Sequence, residues 1–225
     1  MAERQYNSAY PHPALMTDVA IFTIRERRLK SLLVKRKGEP FLGQWALPGG
    51  FIDMKENLRH CAERALADET GVSGVYLEQL YTFGNPHRDP RERIITVAYY
   101  ALIPSDQIKL RAATDADAVD WFAMNKLPAL AFDHGKILSK AKQRLAAKLD
   151  YSTLAFQFMP KVFTLSELQE VYEIILEEEV DKRNFRKWVL ALESIEETGE
   201  VRRDGRHRPA KLYCMKDPNK VDIIK

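Results

Sequence analysis

Residues 48–72 read PGGFIDMKENLRHCAERALADETGV, and no other stretch restricts the possible folds of this chain so narrowly. Its first three residues close a loop, KGEPFLGQWALPGG, that Gly38, Pro40 and Gly43 also keep out of regular structure. From Asn57 to Thr70 there is no Gly or Pro, and Leu58, Cys61 or Ala62, Ala65 and Leu66 recur at helical spacing. Gly71 stands where a left-handed C-cap belongs, so the spacing predicts one amphipathic helix over residues 57–70. Glu56, Asp68 and Glu69 offer carboxylates, the ligands that Mg2+ prefers and that metal-assisted pyrophosphate hydrolysis requires. Carboxylates four apart on a helix point the same way and can share a metal. Positions 65 and 69 have that spacing, but Ala65 cannot ligate anything.

Around this helix the pattern is mixed α/β. MTDVAIFTI (16–24) alternates and is β-branched, and LKSLLVKR (29–36) follows closely, so two adjacent strands are expected. VYLEQLYTF, RIITVAYYALI and AVDWFA read as further strands, and FDHGKILSKAKQRLAAKL as a long helix. Asp133 and His134 at its start read as structural, a helix cap and hinge. The chain is long enough for one large domain or two modest ones, each with its own core.

Near residue 150 the pattern changes. TLSELQEVYEIIL opens on a capping box, Thr164 with Glu167, and carries the apolar stripe Leu168, Val171, Tyr172, Ile175 and Leu176. EEEVD breaks that helix, KRNFRKWVLAL starts another, and GEVRRDGRHRPAKLYCM reads as two strands joined through Asp204-Gly205. Helix, turn, helix and hairpin outline a winged helix-turn-helix over 151–225, after an α/β domain over 1–150.

The net charge of +3 does not by itself announce a nucleic-acid binder. Residues 151–225 hold 13 Lys or Arg against 14 Asp or Glu, so the domain is neutral but patterned. Its second helix sets Phe185, Trp188, Val189 and Leu192 against Lys182, Arg183, Arg186 and Lys187. The hairpin adds Arg202, Arg203, Arg206, His207, Arg208 and Lys211. A basic helix for the major groove and a basic wing for phosphates or minor groove point to double-stranded DNA. Lys182, Arg183, Arg186, Lys187, Arg203, Arg206, His207 and Arg208 are the expected contacts. No cofactor is needed for that binding. Cys61 and Cys214 fall in different predicted domains without a CxxC pair, which suits a reduced compartment. The first twenty residues lack an apolar core behind a basic start, and no run of about 18 apolar residues occurs. A cytoplasmic protein with no membrane partner is expected.

Gly50, Glu56, Arg64, Leu66, Glu69, Gly71 and Val72 resemble the Nudix box, GX5EX7REUXEEXGU with U apolar. They match seven of its nine defining positions, with Asp68 standing for a Glu and Ala65 for one of the metal-binding glutamates. The resemblance implies a Nudix α/β/α sandwich over residues 14–148, its sheet mixed and the box helix packed between sheets. With the winged helix, and with FGNPHRDPRERIITVAYYAL, LAFDHGKIL and GRHRPAKLY, the whole chain resembles the Nudix-related transcriptional regulators called NrtR. That family implies a homodimeric repressor of NAD-metabolism genes, bound to a roughly palindromic operator, whose Nudix pocket senses ADP-ribose. Carried over, the implied effector pocket includes Arg36, Trp45, Glu56, Arg64, Glu69, His87, Arg88 and Arg91. Trp45 equally suits a core position, and the HRDPR residues a salt-bridged surface loop. Losing the carboxylate at 65 predicts weak or absent hydrolysis, with no residue assigned a firm catalytic role among Glu56, Arg64, Asp68 and Glu69. Mg2+ on Glu56, Asp68 and Glu69 is expected only if some hydrolysis survives. Two alternatives stay open: an active ADP-ribose pyrophosphatase with an attached winged helix, and the same regulator sensing a sugar.

Overall fold

The computed structural model describes residues 10–104, 106, 116–203 and 209–224. Strand β1 (Ala14–Arg25) lies at the centre of one seven-stranded sheet. It pairs antiparallel with β2 (Arg28–Arg36) and β4 (Gly49–Phe51), and parallel with β6 (Ile94–Leu102). The two-residue β3 (Trp45–Ala46) and β7 (Ala116–Ala123) flank β2, and β5 (Tyr76–Phe83) closes the far side against β6.

The period-2 pattern of the strands decides what each face meets. Val19 and Ile21 of β1, with Val97, Tyr99 and Ala101 of β6, pack on Ala62 and Leu66 of helix α1 (Leu58–Thr70). Ala20 and Phe22, with Ala98, Tyr100 and Leu102, pack on Ile137 and Leu138 of helix α2 (His134–Leu149). This is the mixed-sheet α/β/α sandwich expected, with one correction: α1 covers one face of a single sheet and does not lie between two. Helix α1 is bounded as its sequence predicts. The Asn57 side chain accepts from the His60 N–H, and Gly71 takes φ 68° at the C-cap. Asp133 occupies the N-cap position of α2 as expected, without a side-chain cap bond, its carboxylate being paired with Arg88.

A short 3-10 helix (Leu154–Phe158), buried throughout and not foreseen in the sequence, leads from α2 into the C-terminal half. Helix α3 (Leu165–Leu176) begins with the reciprocal Thr164–Glu167 capping box and ends at Glu177 with φ 59°. Helix α4 (Lys182–Ala191) follows, capped by Asp181, and then the hairpin of β8 (Ile195–Arg202) and β9 (Ala210–Met215). Phe163 pairs through its backbone with Tyr213 and adds a third edge to the wing. The expected Asp204-Gly205 turn, with Arg206, His207 and Arg208, lies outside the described residues.

The two halves share a core. One buried cluster runs from Phe22 and Leu33 of the sheet through α2 and Phe156 to Leu168, Phe185, Val189 and Tyr213. Ion pairs cross the same boundary, Lys142 to Glu177 at 2.6 Å and Arg27 to Glu170 at 3.2 Å.

Candidate functional site

At the edge of the sheet, where β1, β2 and β4 meet the start of α2, lies a cavity of about 220 Å³. Its mouth is cationic, with Lys35, Arg36, Lys37 and Arg91. Arg36 is aimed by Nε donating to the Pro40 carbonyl at 2.8 Å and Nη2 donating to that of Gly38 at 3.3 Å. Its guanidinium stands 4.8 Å from the centre of the Phe132 ring, and that of Arg91 stands 5.6 Å from both Phe132 and Phe51. Arg91 also forms a 2.7 Å ion pair with Asp89. Burial first, and then the neighbouring charge of Arg91, push Arg36 below the ordinary guanidinium value.

The floor is a knot of buried charges. Arg88 donates from Nη2 to Asp18 Oδ2 at 3.1 Å and to Asp133 Oδ1 at 2.7 Å, and from Nε to Asp133 Oδ2 at 3.1 Å. Beside them, His134 Nδ1 accepts the Leu47 backbone N–H at 2.9 Å. That bond leaves the proton of a neutral ring on Nε2, 3.5 Å from Asp18 Oδ1. Burial holds His134 below its ordinary value of 6.5. Gly49 is required next to this floor, since a Cβ there would come within 2.5 Å of the Thr17 carbonyl oxygen and 2.7 Å of Asp18 Oδ1.

Of the residues expected to contact an effector, the fold brings Arg36, Arg88 and Arg91 to this cavity. Arg88 is no surface-loop residue; its side chain is 2% exposed. Trp45 is not among the lining residues and packs edge-on against Phe122, 4.7 Å between ring centres, at the margin of the core. His87 is exposed on the loop and also stands apart from the cavity lining. Asp18, Phe132 and His134 line the cavity without having been assigned to it. Asp18 did carry a signal: an acid inside the otherwise apolar, alternating MTDVAIFTI.

The Nudix-box loop forms a second centre. Arg64 grips Glu56 with two bonds, Nε to Oε1 at 2.8 Å and Nη2 to Oε2 at 2.9 Å, and Nη2 also donates to the Phe51 carbonyl at 3.1 Å. The Asp53 N–H adds 3.2 Å to Glu56 Oε2. The Arg64 hydrogen bonds hold the Glu56 carboxyl at about 2. Ala65 is buried, Asp68 is exposed, and the Glu69 side chain lies outside the described residues. A Nudix box implies Mg2+; of the candidate ligands, Glu56 is engaged by Arg64, Asp68 is exposed and position 65 has no oxygen.

The third feature is α4. Phe185 and Val189 are buried, and the rings of Tyr172, Phe185 and Trp188 meet at 5.3–5.7 Å, which fixes α4 on α3. Lys182, Arg183, Arg186 and Lys187 are left exposed, as is Arg203. Arg186 makes a long 3.5 Å bond to Ser166 Oγ. Two basic wing residues are engaged elsewhere: Arg202 pairs with Glu167 at 2.6 Å, pinning β8 to α3, and Lys211 with Glu197 at 2.9 Å.

Fold and sites define a class: a Nudix-type α/β domain with a cavity edged by basic side chains, sharing its core with a winged helix that presents a basic helix. Comparison with known proteins agrees. Residues 14–141 match the NUDIX domain, and residues 155–215 match the NrtR DNA-binding winged helix domain. The chain is 41% identical to the ADPR responsive transcriptional repressor NtrR of Acinetobacter baylyi, over 92% of this chain and 83% of that one. It is similar to the crystal structure of Shewanella oneidensis NrtR complexed with a 27mer DNA. That match has a TM-score of 0.82 and 40% identity, covering 91% of this chain and 94% of that one. The NUDIX domain of the same protein, complexed with ADP ribose, matches with TM-score 0.56 and 38% identity, covering 64% of this chain and 99% of the other. The chain belongs to the NrtR family of Nudix-related transcriptional regulators.

Proposed function

We propose that this chain is a transcriptional repressor that binds DNA through α4 and the wing and senses ADP-ribose in its Nudix domain. The observation that carries the reading is the coexistence, on one shared core, of an exposed basic recognition helix and a cavity with a cationic mouth. Likeness to an ADPR responsive repressor, and to structures with DNA and with ADP ribose, supports it. We extend the reading to a homodimer on a palindromic operator, controlling genes of NAD metabolism. A two-fold dimer presents two recognition helices, which sets half-sites whole helical turns apart. Hydrolysis is weak or absent because position 65 lacks its carboxylate. Among the described residues no helix is long and apolar enough to cross a membrane, in keeping with action on DNA.

Gel-shift titration of the protein on its own upstream region, with and without ADP-ribose, tests the reading. ADP-ribose is expected to release the DNA. Arg183→Ala and Arg186→Ala are each expected to weaken specific binding by about 1–3 kcal/mol if they reach base edges. DNA binding indifferent to ADP-ribose, or to both substitutions, would refute it. Turnover of ADP-ribose at about 1 per second or more would instead support a working hydrolase.

A further inference from the structure

We infer that Leu190 of α4 packs on a thymine methyl group in the major groove, and so selects one base of the DNA that the helix binds. The inference rests on the reading of α4 as the recognition helix and names what one of its side chains reads.

Helix α4 is fixed in rotation about its own axis. Phe185 and Val189 are buried, and the ring of Trp188 stands 5.5 Å from that of Tyr172, so the side that carries these three faces α3. At 3.6 residues per turn, Arg183, Arg186, Lys187 and Leu190 fall within roughly 100° of one another on the opposite side. All four are exposed, and three are cations. The fourth, near the middle of that stripe, is a leucine left 49% exposed.

A single exposed leucine on a protein surface needs no explanation of its own. Its placement is what carries information. Arg183, Arg186 and Lys187 suit phosphates and polar base edges, from which an apolar side chain between them gains nothing. The edges of the base pairs in the major groove are hydrogen-bonding groups, and the apolar group that they add is the C5-methyl of thymine. The rise from Arg183 to Leu190 along the helix is about 10 Å, roughly three base-pair steps, so one pass of the groove holds both. The longer cationic side chains reach outward to the backbone, and the shorter leucine meets the floor.

The test is a gel-shift titration of the full chain on a duplex of its own upstream region, repeated with each thymine in turn replaced by deoxyuridine, which removes only the methyl. At one thymine of the half-site the replacement should weaken binding roughly fourfold, the worth of one methyl group taken out of water. Leu190→Ala should bind the thymine duplex more weakly by at least that factor, and at that position it should no longer distinguish the two bases. Thermal unfolding should be unchanged, since the position is exposed and alanine is a good helix former. Should Leu190→Ala fold poorly, Leu190→Gln, of similar length, gives the same comparison. Binding by the unaltered chain that is indifferent to deoxyuridine at every thymine would overturn the inference and leave the DNA reading intact. So would a variant weakened alike on both duplexes that keeps the full deoxyuridine penalty, because Leu190 would then serve the fold or a partner chain. No shift of the upstream duplex by the unaltered chain would take down the reading of α4 and the inference together.

Discussion

Ala65 is 4% exposed on the same side of α1 as the fully buried Cys61, so a longer side chain there has to share the packed space beneath β4. That sharpens what restoring the missing carboxylate would do. Ala65→Glu should raise Mg2+-dependent hydrolysis of ADP-ribose by on the order of 10–100-fold, the range associated with perturbing a metal's ligand shell. Without metal the same variant should lose about 1–3 kcal/mol, because a carboxylate is buried unmatched. Thermal unfolding with and without Mg2+ checks it, since the variant should regain stability with metal more than the unaltered chain does. His134 supplies a second residue-scale outcome. Burial lowers its pKa from 6.5, so below that value the unfolded chain takes up a proton that the folded chain resists. Its contribution is complete above pH 6.5 and is lost as pH falls toward the depressed folded value. Denaturation midpoints should therefore fall as pH drops below 6.5, and His134→Gln should flatten that stretch.

Helix α2 is fastened at both ends. Its start is held by the Arg88–Asp133 pair and by the bond from Leu47 to His134. Near its end, Lys148 reaches Glu78 at 2.6 Å, and Glu78 also accepts from Tyr100 at 2.8 Å and from Tyr76. Breaking the first fastening is expensive, because Arg88→Ala leaves Asp18 buried without a counter-charge. Urea unfolding should show a loss of about 3–5 kcal/mol, whereas Lys142→Ala, which breaks the exposed pair with Glu177, should cost about 1 kcal/mol or less. Similar losses for the two would mean that the buried knot is not what fixes α2. Sequence carried the elements well where the signal is local. Alternation in β1, the Asn57-to-Gly71 helix and the Thr164–Glu167 box are all read within a few residues. The knot on α2 was not legible, because Asp18, Arg88 and Asp133 come from three distant segments and each, alone, looks like an ordinary charge. Arg36, Arg88 and Arg91 were expected by resemblance and not by pattern, and Trp45 and His87, expected by the same route, do not line the cavity. The 3-10 helix escaped because LAFQFMP has neither helical nor strand period.

At the scale of the whole molecule, the continuous cluster from Phe22 to Tyr213 changes what a signal has to do. Two halves with separate cores could move on a linker without telling each other anything. Here the first residue of α2, His134, lines the cavity, while the helix body packs against the 3-10 helix and α3 in the same buried cluster as Phe185 of the recognition helix. Packed interiors shift between discrete arrangements and do not deform continuously, so occupancy of the cavity can favour one placement of the winged helix over another. Coupling of this kind is usually worth 1–3 kcal/mol, so ADP-ribose should lower operator affinity by roughly 5–150-fold. Reciprocity then fixes the other half of the cycle: saturating operator DNA must weaken ADP-ribose binding by the same factor. The two measurements are independent, one a gel-shift or anisotropy titration at saturating ADP-ribose, the other calorimetry at saturating DNA. A factor well above one, found in both measurements, establishes that the two sites are coupled. An operator affinity that ADP-ribose leaves unchanged would mean that the cavity and the basic helix, although they share a core, act without reference to each other.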